Sequence, residues 1–287
     1  MPQEIFYRSD DGLSLFAKSY GADQSDLTVL CMHGFTRNHK DFEPLISSLD
    51  MPARFVAVDV RGRGQSGRDH NAANYVPARY VRDVIDLIER EKPKQLVLIG
   101  TSMGGLMAMM LAKSLRTILK GIVLNDVGPE VEPAGLVRIA EYAGNARSVS
   151  SWEEAAKSIA RVQTSVFPDL VESDWLEFAH RTFVEKGGRI EPDYDLAITS
   201  VSPPRYPAFL QRLVMWRLFG ATKRVPLLII RGENSDILSP ATAARMLKRH
   251  DDAKLVTVPG RGHAPLLNEP VAVEAIRSFL TRVSAAQ

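Results

Sequence analysis

A serine, an acidic residue and a histidine occupy positions in this 287-residue chain that suit nucleophilic catalysis. Ser102 stands in Gly100-Thr101-Ser102-Met103-Gly104-Gly105, between an apolar run that reads as a strand and a segment that reads as a helix. A GxSxG sequence in that setting puts the serine on a strained strand-to-helix turn, with the glycines leaving room where side chains would collide. The serine then projects at a helix N-terminus, where free backbone N–H groups and the dipole favour negative charge. Without that setting the pentapeptide is a common chance match and the serine an ordinary turn residue.

A serine hydroxyl needs a base within hydrogen-bond reach, and the base needs a carboxylate to hold its tautomer. His263, in Gly260-Arg261-Gly262-His263-Ala264-Pro265, follows the last strand candidate and is the expected base. The other histidines, 33, 39, 70, 180 and 250, have less suitable settings. Asp236 follows the strand over 227–230 and precedes His263 by 27 residues, leaving room for one helix and one strand. It is the preferred acid, giving the chain order Ser, Asp, His. Glu233 is a rival, and so is Asp126, in Leu124-Asn125-Asp126 after the strand that follows Ser102. Asp126 reads otherwise as a turn residue.

The oxyanion of a tetrahedral intermediate needs two donors. The candidates are the backbone N–H of Met103, next after the nucleophile, and that of Phe35 in His33-Gly34-Phe35, after the strand over 28–32. His33 itself reads as a brace for its loop. Asp59-Val60-Arg61-Gly62-Arg63-Gly64-Gln65-Ser66 has two arginines among glycines, but neither the Lys-Ser/Thr ending of a P-loop nor GxGxxG spacing, and reads as a structural turn.

The elements that must carry these residues can be traced by period. Segments 5–9 and 13–20 flank Asp10-Asp11-Gly12 and read as a hairpin. Short apolar runs at 28–32, 55–59, 95–100, 121–125, 227–231 and 253–259 read as strands covered on both faces, as in a parallel sheet between helical layers. Helices are predicted over 75–91, 103–114, 240–248 and 270–283; in the first, Val81, Val84, Ile85 and Ile88 form one apolar face. The alternation stops after Asp126 and resumes at Val225, with no convincing strand between. Ser151 with Glu154 suggests a capping box, Ser173 starts a second helix, and 207–219 suggests a third. The chain thus divides into a core of 1–126 and 223–287 and a helical insertion of 127–222. That insertion holds 11 of the 21 aromatic residues, including Trp152, Trp175 and Trp216. They could build the insertion's own core or, over the carboxyl edge of a sheet, an apolar lid that binds substrate.

Composition narrows the function classes. A net charge of +2 from 36 basic and 34 acidic residues is no electrostatic footprint for nucleic acid. One cysteine closes no intramolecular disulfide and makes no multi-cysteine zinc site. The first ten residues lack a basic stretch followed by an apolar one, so neither a signal peptide nor a membrane anchor is expected and the cytoplasm is the default compartment. Residues 95–112 carry no charge, but their central glycines suit a strand, turn and helix better than a membrane span.

Together these segments resemble the α/β-hydrolase superfamily: HGF at 33–35, DVRGRGQS at 59–66, GTSMGG at 100–105, the Asp236 loop and GRGHAP at 260–265. The resemblance implies a mostly parallel eight-stranded sheet flanked by helices, with 127–222 as an inserted helical cap. It also implies a hydrolase with no cofactor and no metal, acting on esters, lactones, thioesters, amides or carbon–carbon bonds. The spacing Gly-x-x-x-Asp at 232–236 departs from the shorter Gly-x-x-Asp common in the family. A serine at the elbow argues against haloalkane dehalogenase and epoxide hydrolase relatives, which carry aspartate there. The expected activity is that of a carboxylesterase or lactonase with Ser102, Asp236 and His263 catalytic, acting on a small molecule whose apolar part meets Trp152, Trp175 and Trp216. Hydrolysis of a carbon–carbon bond in a ring-cleavage product is the alternative, and a non-catalytic receptor on the same scaffold a more distant one. Neither nucleic acid nor membrane is an expected partner.

Overall fold

The computed structural model describes residues 1–22, 24–200 and 207–285. The chain runs β1 (Gln3–Arg8), β2 (Ser14–Gly21), β3 (Leu27–Met32), α1 (Glu43–Leu49), β4 (Arg54–Asp59), α2 (Pro77–Glu91), β5 (Gln95–Thr101), α3 (Met103–Leu111) and β6 (Leu119–Asn125). An insertion then supplies α4 (Pro133–Asn145), α5 (Trp152–Gln163), α6 (Glu172–Thr182), β7 (Phe183–Lys186), β8 (Arg189–Pro192) and α7 (Ala208–Gly220). The core resumes with β9 (Leu227–Gly232), α8 (Pro240–Arg249), β10 (Ala253–Val258) and α9 (Pro270–Ala285).

Eight strands form one sheet in the order β1-β2-β4-β3-β5-β6-β9-β10. Only β2 runs against its neighbours, pairing antiparallel with β1 and β4; the other pairs are parallel. The apolar runs explain this layering, because strands that are apolar at every position must be covered on both faces. On one face Val29, Cys31, Val97, Ile99 and Val123 meet Leu45 of α1 and Ile276, Phe279 and Leu280 of α9. On the other, Leu30, Met32, Leu98 and Leu124 meet Val84 and Leu87 of α2, Met107 and Leu111 of α3 and Met246 of α8. The uncharged run 95–112 is therefore β5 and α3, both in the core, and no helix among the described residues is long and apolar enough to cross a membrane. Helix α1, only 7 residues long, has too few turns to show a period and is absent from the sequence reading.

The insertion differs from its expected all-helical character. β7 and β8 pair antiparallel across Gly187 and Gly188, both at positive φ (59° and 73°). A Gly-Gly pair takes such a two-residue turn without a Cβ penalty, and it was the available signal for this hairpin. The Ser151 cap forms, its hydroxyl accepting from the Glu154 amide, while Glu154 reaches back to Ser150 rather than to Ser151. Residues 201–206, within the expected cap, lie outside the described residues.

Close backbone approach fixes where α3 sits. A Cβ at Gly104 would stand 2.0 Å from the Met32 carbonyl oxygen of β3, and one at Gly100 would stand 2.4 Å from the Gly104 carbonyl. Gly104→Ala is expected to destabilise the protein by about 3 kcal/mol or more, because backbone has to move. Gly144→Ala, in α4 with nothing within 4 Å of the added carbon, is the control and should be neutral or slightly stabilising. Urea unfolding of both variants checks the contrast; equal midpoints would show that α3 is not pinned by this approach.

Candidate active site

Ser102 joins β5 to α3 with φ 52° and ψ −112°, a left-handed backbone that a side chain adopts only under constraint. Its amide donates to the Asn125 carbonyl at the end of β6 (3.0 Å), and its own carbonyl accepts from Gly105 and Leu106 in the first turn of α3. The chain is held on both sides of the bend, so the side chain has nowhere to go but outward from the sheet edge.

His263, in the loop between β10 and α9, reaches this side chain: its Nε2 lies 2.8 Å from Ser102 Oγ. Its Nδ1 lies 2.8 Å from Asp126 Oδ2. The carboxylate can only accept, so Nδ1 carries the proton and Nε2 faces the serine as acceptor. Asp126 follows β6 at φ 56° and has no solvent exposure. Its other contacts are the Gly232 amide on Oδ1 (2.9 Å) and the Ser235 hydroxyl on Oδ2 (2.6 Å).

The acid beside His263 is thus Asp126 and not Asp236. Asp236 turns away to the insertion, where its two oxygens accept from Nε and a terminal nitrogen of Arg138 on α4 (2.7 and 2.8 Å). The loop's spacing is the reason. The residue three after Gly232 is Ser235, whose hydroxyl donates to Asp126 and also accepts from the Ile237 and Leu238 amides. That bend leaves the next residue, Asp236, on the outer side. Glu233, the other rival, accepts from the Gly260 amide and is exposed.

The His33-Gly34-Phe35 loop lies against the serine: a Cβ at Gly34 would stand 3.8 Å from Ser102 Cβ. His33 is fully buried, its pKa pushed down to about 4 by that burial. Its Nε2 accepts from the Val60 amide (3.0 Å), so its Nδ1 is the donor to the Gly34 carbonyl (2.6 Å). In a trans peptide C=O and N–H point in opposite directions, so fixing the Gly34 oxygen also fixes the Phe35 N–H away from His33. The Phe35 carbonyl is held by Arg63 Nε at 2.9 Å. Arg63 is buried, as is Arg61, which Asp83, Asp11 and Asp69 surround. The glycine-arginine segment is accordingly internal framework, and it orients the oxyanion-hole candidate. Met103 opens α3, where a backbone N–H has no intrahelical acceptor.

Ser102 and His263 open into a cavity of about 80 Å³ whose walls include Phe35, Ile139, Tyr142, Phe167 and Phe178. A second cavity of about 550 Å³ shares Arg37, Tyr142, Gln163 and Phe178 with it. The three tryptophans expected to meet substrate line neither. Trp175 packs between Phe167 and Phe178 inside the insertion, Trp152 lies on His180 with centroids 3.9 Å apart, and Trp216 donates to Glu130 at 2.5 Å. Trp152 and Trp175 thus pack inside the insertion and Trp216 against the core beneath it, leaving the cavity wall to other residues. Among the described residues no group of three or more His, Cys, Asp or Glu is placed to hold a metal ion.

The arrangement predicts how Ser102 responds to a fluorophosphonate probe. Asp126→Asn should slow labelling of Ser102 by about 10⁴-fold, because the amide no longer enforces the Nδ1–H tautomer. Asp236→Asn should label at close to the wild-type rate. Labelling kinetics followed by mass spectrometry check this, and slow labelling in the Asp236 variant alone would return the acid to the loop after β9.

The chain's similarities agree with this architecture. The model of the alpha/beta hydrolase family matches residues 29–276. The 3-hydroxybutyrate-oligomer hydrolase of Cupriavidus necator is 32% identical over 282 residues, covering 95% of each chain. The 2-(acetamidomethylene)succinate hydrolase of Mesorhizobium japonicum is 27% identical over 255 residues, covering 88% of this chain and 87% of that one. The crystal structure of an alpha/beta hydrolase from Novosphingobium aromaticivorans superposes with a TM-score of 0.91 at 40% identity, covering 98% of each chain.

Proposed function

The chain belongs to the alpha/beta hydrolase family, and on that footing we propose that it is a serine hydrolase that cleaves a small carboxylic ester through an acyl-enzyme. The observation that carries this reading is the continuous line from Ser102 Oγ through His263 to Asp126, with 2.8 Å at each step. In the proposed reaction Ser102 Oγ attacks the ester carbonyl carbon while His263 Nε2 takes its proton. The oxyanion is held by the N–H groups of Met103 and Phe35. Asp126 stabilises the imidazolium and remains ionised. Collapse of the intermediate returns the proton from His263 to the departing alcohol, and water repeats the sequence to release the acid and restore Ser102.

The insertion over 127–222 serves here as a cap: Ile139 and Tyr142 of α4, Gln163 of α5 and Phe178 of α6 all face the serine's cavity. A small inner cavity with Phe35, Ile139 and Phe178 in its wall favours a short chain at the scissile carbonyl, with the larger cavity for the rest of the substrate. The name of one similar protein, the 3-hydroxybutyrate-oligomer hydrolase, points the same way, since oligomers of a hydroxy acid are joined by esters; such oligomers, short p-nitrophenyl esters, lactones and a dienoate ring-cleavage product form the panel to assay. Turnover of esters or lactones supports the reading, and turnover of the dienoate alone would replace it.

Further outcomes are expected. Ser102→Ala should lower kcat by about 10⁴ to 10⁶ with folding retained. In the wild type, each added methylene should raise kcat/KM about fourfold, from about 0.8 kcal/mol of burial, until the cavity is full. Ile139→Ala should move that limit to longer esters, whereas Trp175→Leu should lower the melting temperature with the limit unchanged. Chain-length profiles measured beside thermal melts check both; a limit that moves with Trp175 and not with Ile139 would reassign the selective wall.

A further inference from the structure

Arg181, near the C-terminal end of α6, lines the same cavity as Ser102 and His263. Its side chain is only 17% exposed, and its nearest carboxylate is Glu177, one turn earlier at 3.9 Å on a side chain 76% exposed. The other enclosed arginines are paired far more closely. Arg61 has three carboxylates, Arg138 has Asp236, Arg261 has Glu269 and Asp169, and Arg63 has two carbonyls and the Tyr80 hydroxyl.

The surrounding charge adds to the imbalance. Arg37 also lines the cavity, stacked over Phe178 with 4.0 Å to the ring centroid, but its guanidinium is engaged by Asp41 through Nε at 2.9 and 2.8 Å. Asp41 is the one carboxylate in the cavity wall among the described residues. Within the cavity wall two guanidinium groups thus face one carboxylate, and the other acids that act on Arg181, Glu177 and Glu43, are not part of that wall. Burial first, and then Arg37, lower the pKa of Arg181, but a guanidinium stays protonated in a protein. A cation withdrawn from water requires a counter-charge or a set of acceptors. The backbone that carries this cation is anchored, since the Arg181 carbonyl accepts from Asn38 Nδ2 at 2.9 Å and the neighbouring His180 carbonyl from Lys40 Nζ at 3.4 Å.

We propose that Arg181 binds a carboxylate carried by the substrate, so that the preferred ester is an anion whose acid group lies away from the scissile bond. This names the substrate class for the ester-hydrolase reading and rests on it for the reaction, but the binding step stands independently of turnover. The planar guanidinium matches a carboxylate with two parallel N–H donors, and Arg37 adds long-range attraction without leaving Asp41.

The test pairs esters that differ only in this charge. On Ser102→Ala protein, calorimetric titration should show monoethyl glutarate binding at least about tenfold more tightly than diethyl glutarate, with the difference shrinking as salt is added. Arg181→Gln in the same background should abolish the difference, and Arg181→Lys should restore part of it. With active enzyme, p-nitrophenyl hydrogen glutarate should show a KM about 10- to 100-fold higher in Arg181→Gln than in wild type. For p-nitrophenyl methyl glutarate the rise in KM should be much smaller. Equal binding of the two probes by Ser102→Ala protein overturns the proposal, and so does an Arg181→Gln variant that impairs both esters alike, which would mark a structural role. Binding that prefers the monoester, with turnover of neither nitrophenyl ester, would reject the ester-hydrolase reading and uphold the carboxylate site.

Discussion

A carboxylate with no access to water must be met by donors, and the site is organised around that requirement at Asp126. Its donors come from three places: the Gly232 amide at the end of β9, the Ser235 hydroxyl in the following loop, and His263 after β10. Its own amide donates to the Ile230 carbonyl. Because β6 lies between β5 and β9 in the sheet, this one residue ties the loops of three strands together and, through His263, reaches the serine after β5. Removing any donor would leave a buried anion short of a partner, so the same contacts that orient the histidine also hold the carboxyl edge of the sheet together.

The two motifs on the other side of the serine obey a similar logic. His33 and Arg63 are both buried, and each donates through one nitrogen to a carbonyl of the Gly34-Phe35 segment, His33 Nδ1 to Gly34 and Arg63 Nε to Phe35. Arg63 is itself carried by the turn after β4, which Arg61 anchors to Asp11, Asp69 and Asp83. For the proposed reaction this loop has to hold its peptide planes still, because an amide turned by half a rotation would present a carbonyl oxygen where the oxyanion would form. The two arginines of the glycine-rich turn thereby serve the proposed reaction without touching a substrate.

The insertion supplies chemistry of another kind. The apolar core of α5, α6, β7 and β8, with Trp175, Phe178, Phe183 and Ile190, is separate from the two cores that cover the sheet, whereas Tyr194, Ile198 and Phe219 of the insertion pack into one of those two. Ion pairs bridge it to the core, Arg138 with Asp236 and Arg245 with Glu130 among them. Arg181 stands apart from these because it lines the cavity and its ion pair is with the exposed Glu177 at 3.9 Å, within its own helix.

Much of this was legible in the residues alone. Apolar runs of four to six residues mark the central strands, buried on both faces, while the run over 253–259 became the half-exposed edge strand β10; Gly100, Ser102 and Gly104 mark a bend that admits few other residues, because both signals are consequences of local sterics and burial. Ser102, His263 and the HGF loop could be placed from such signals, each lying just beyond a strand end. The acid could not. Asp126 and Asp236 each follow a strand, and which one meets the histidine depends on the order of strands in the sheet and on one extra residue that turns Asp236 outward. The tryptophans posed the same problem: amphipathic helices show which residues are apolar, but only the packing of α4, α5 and α6 over the sheet decided which apolar faces meet each other and which meet the cavity. Local conformation is set by neighbours along the chain, whereas partners more than a hundred residues apart, such as Asp126 and His263, are chosen by topology.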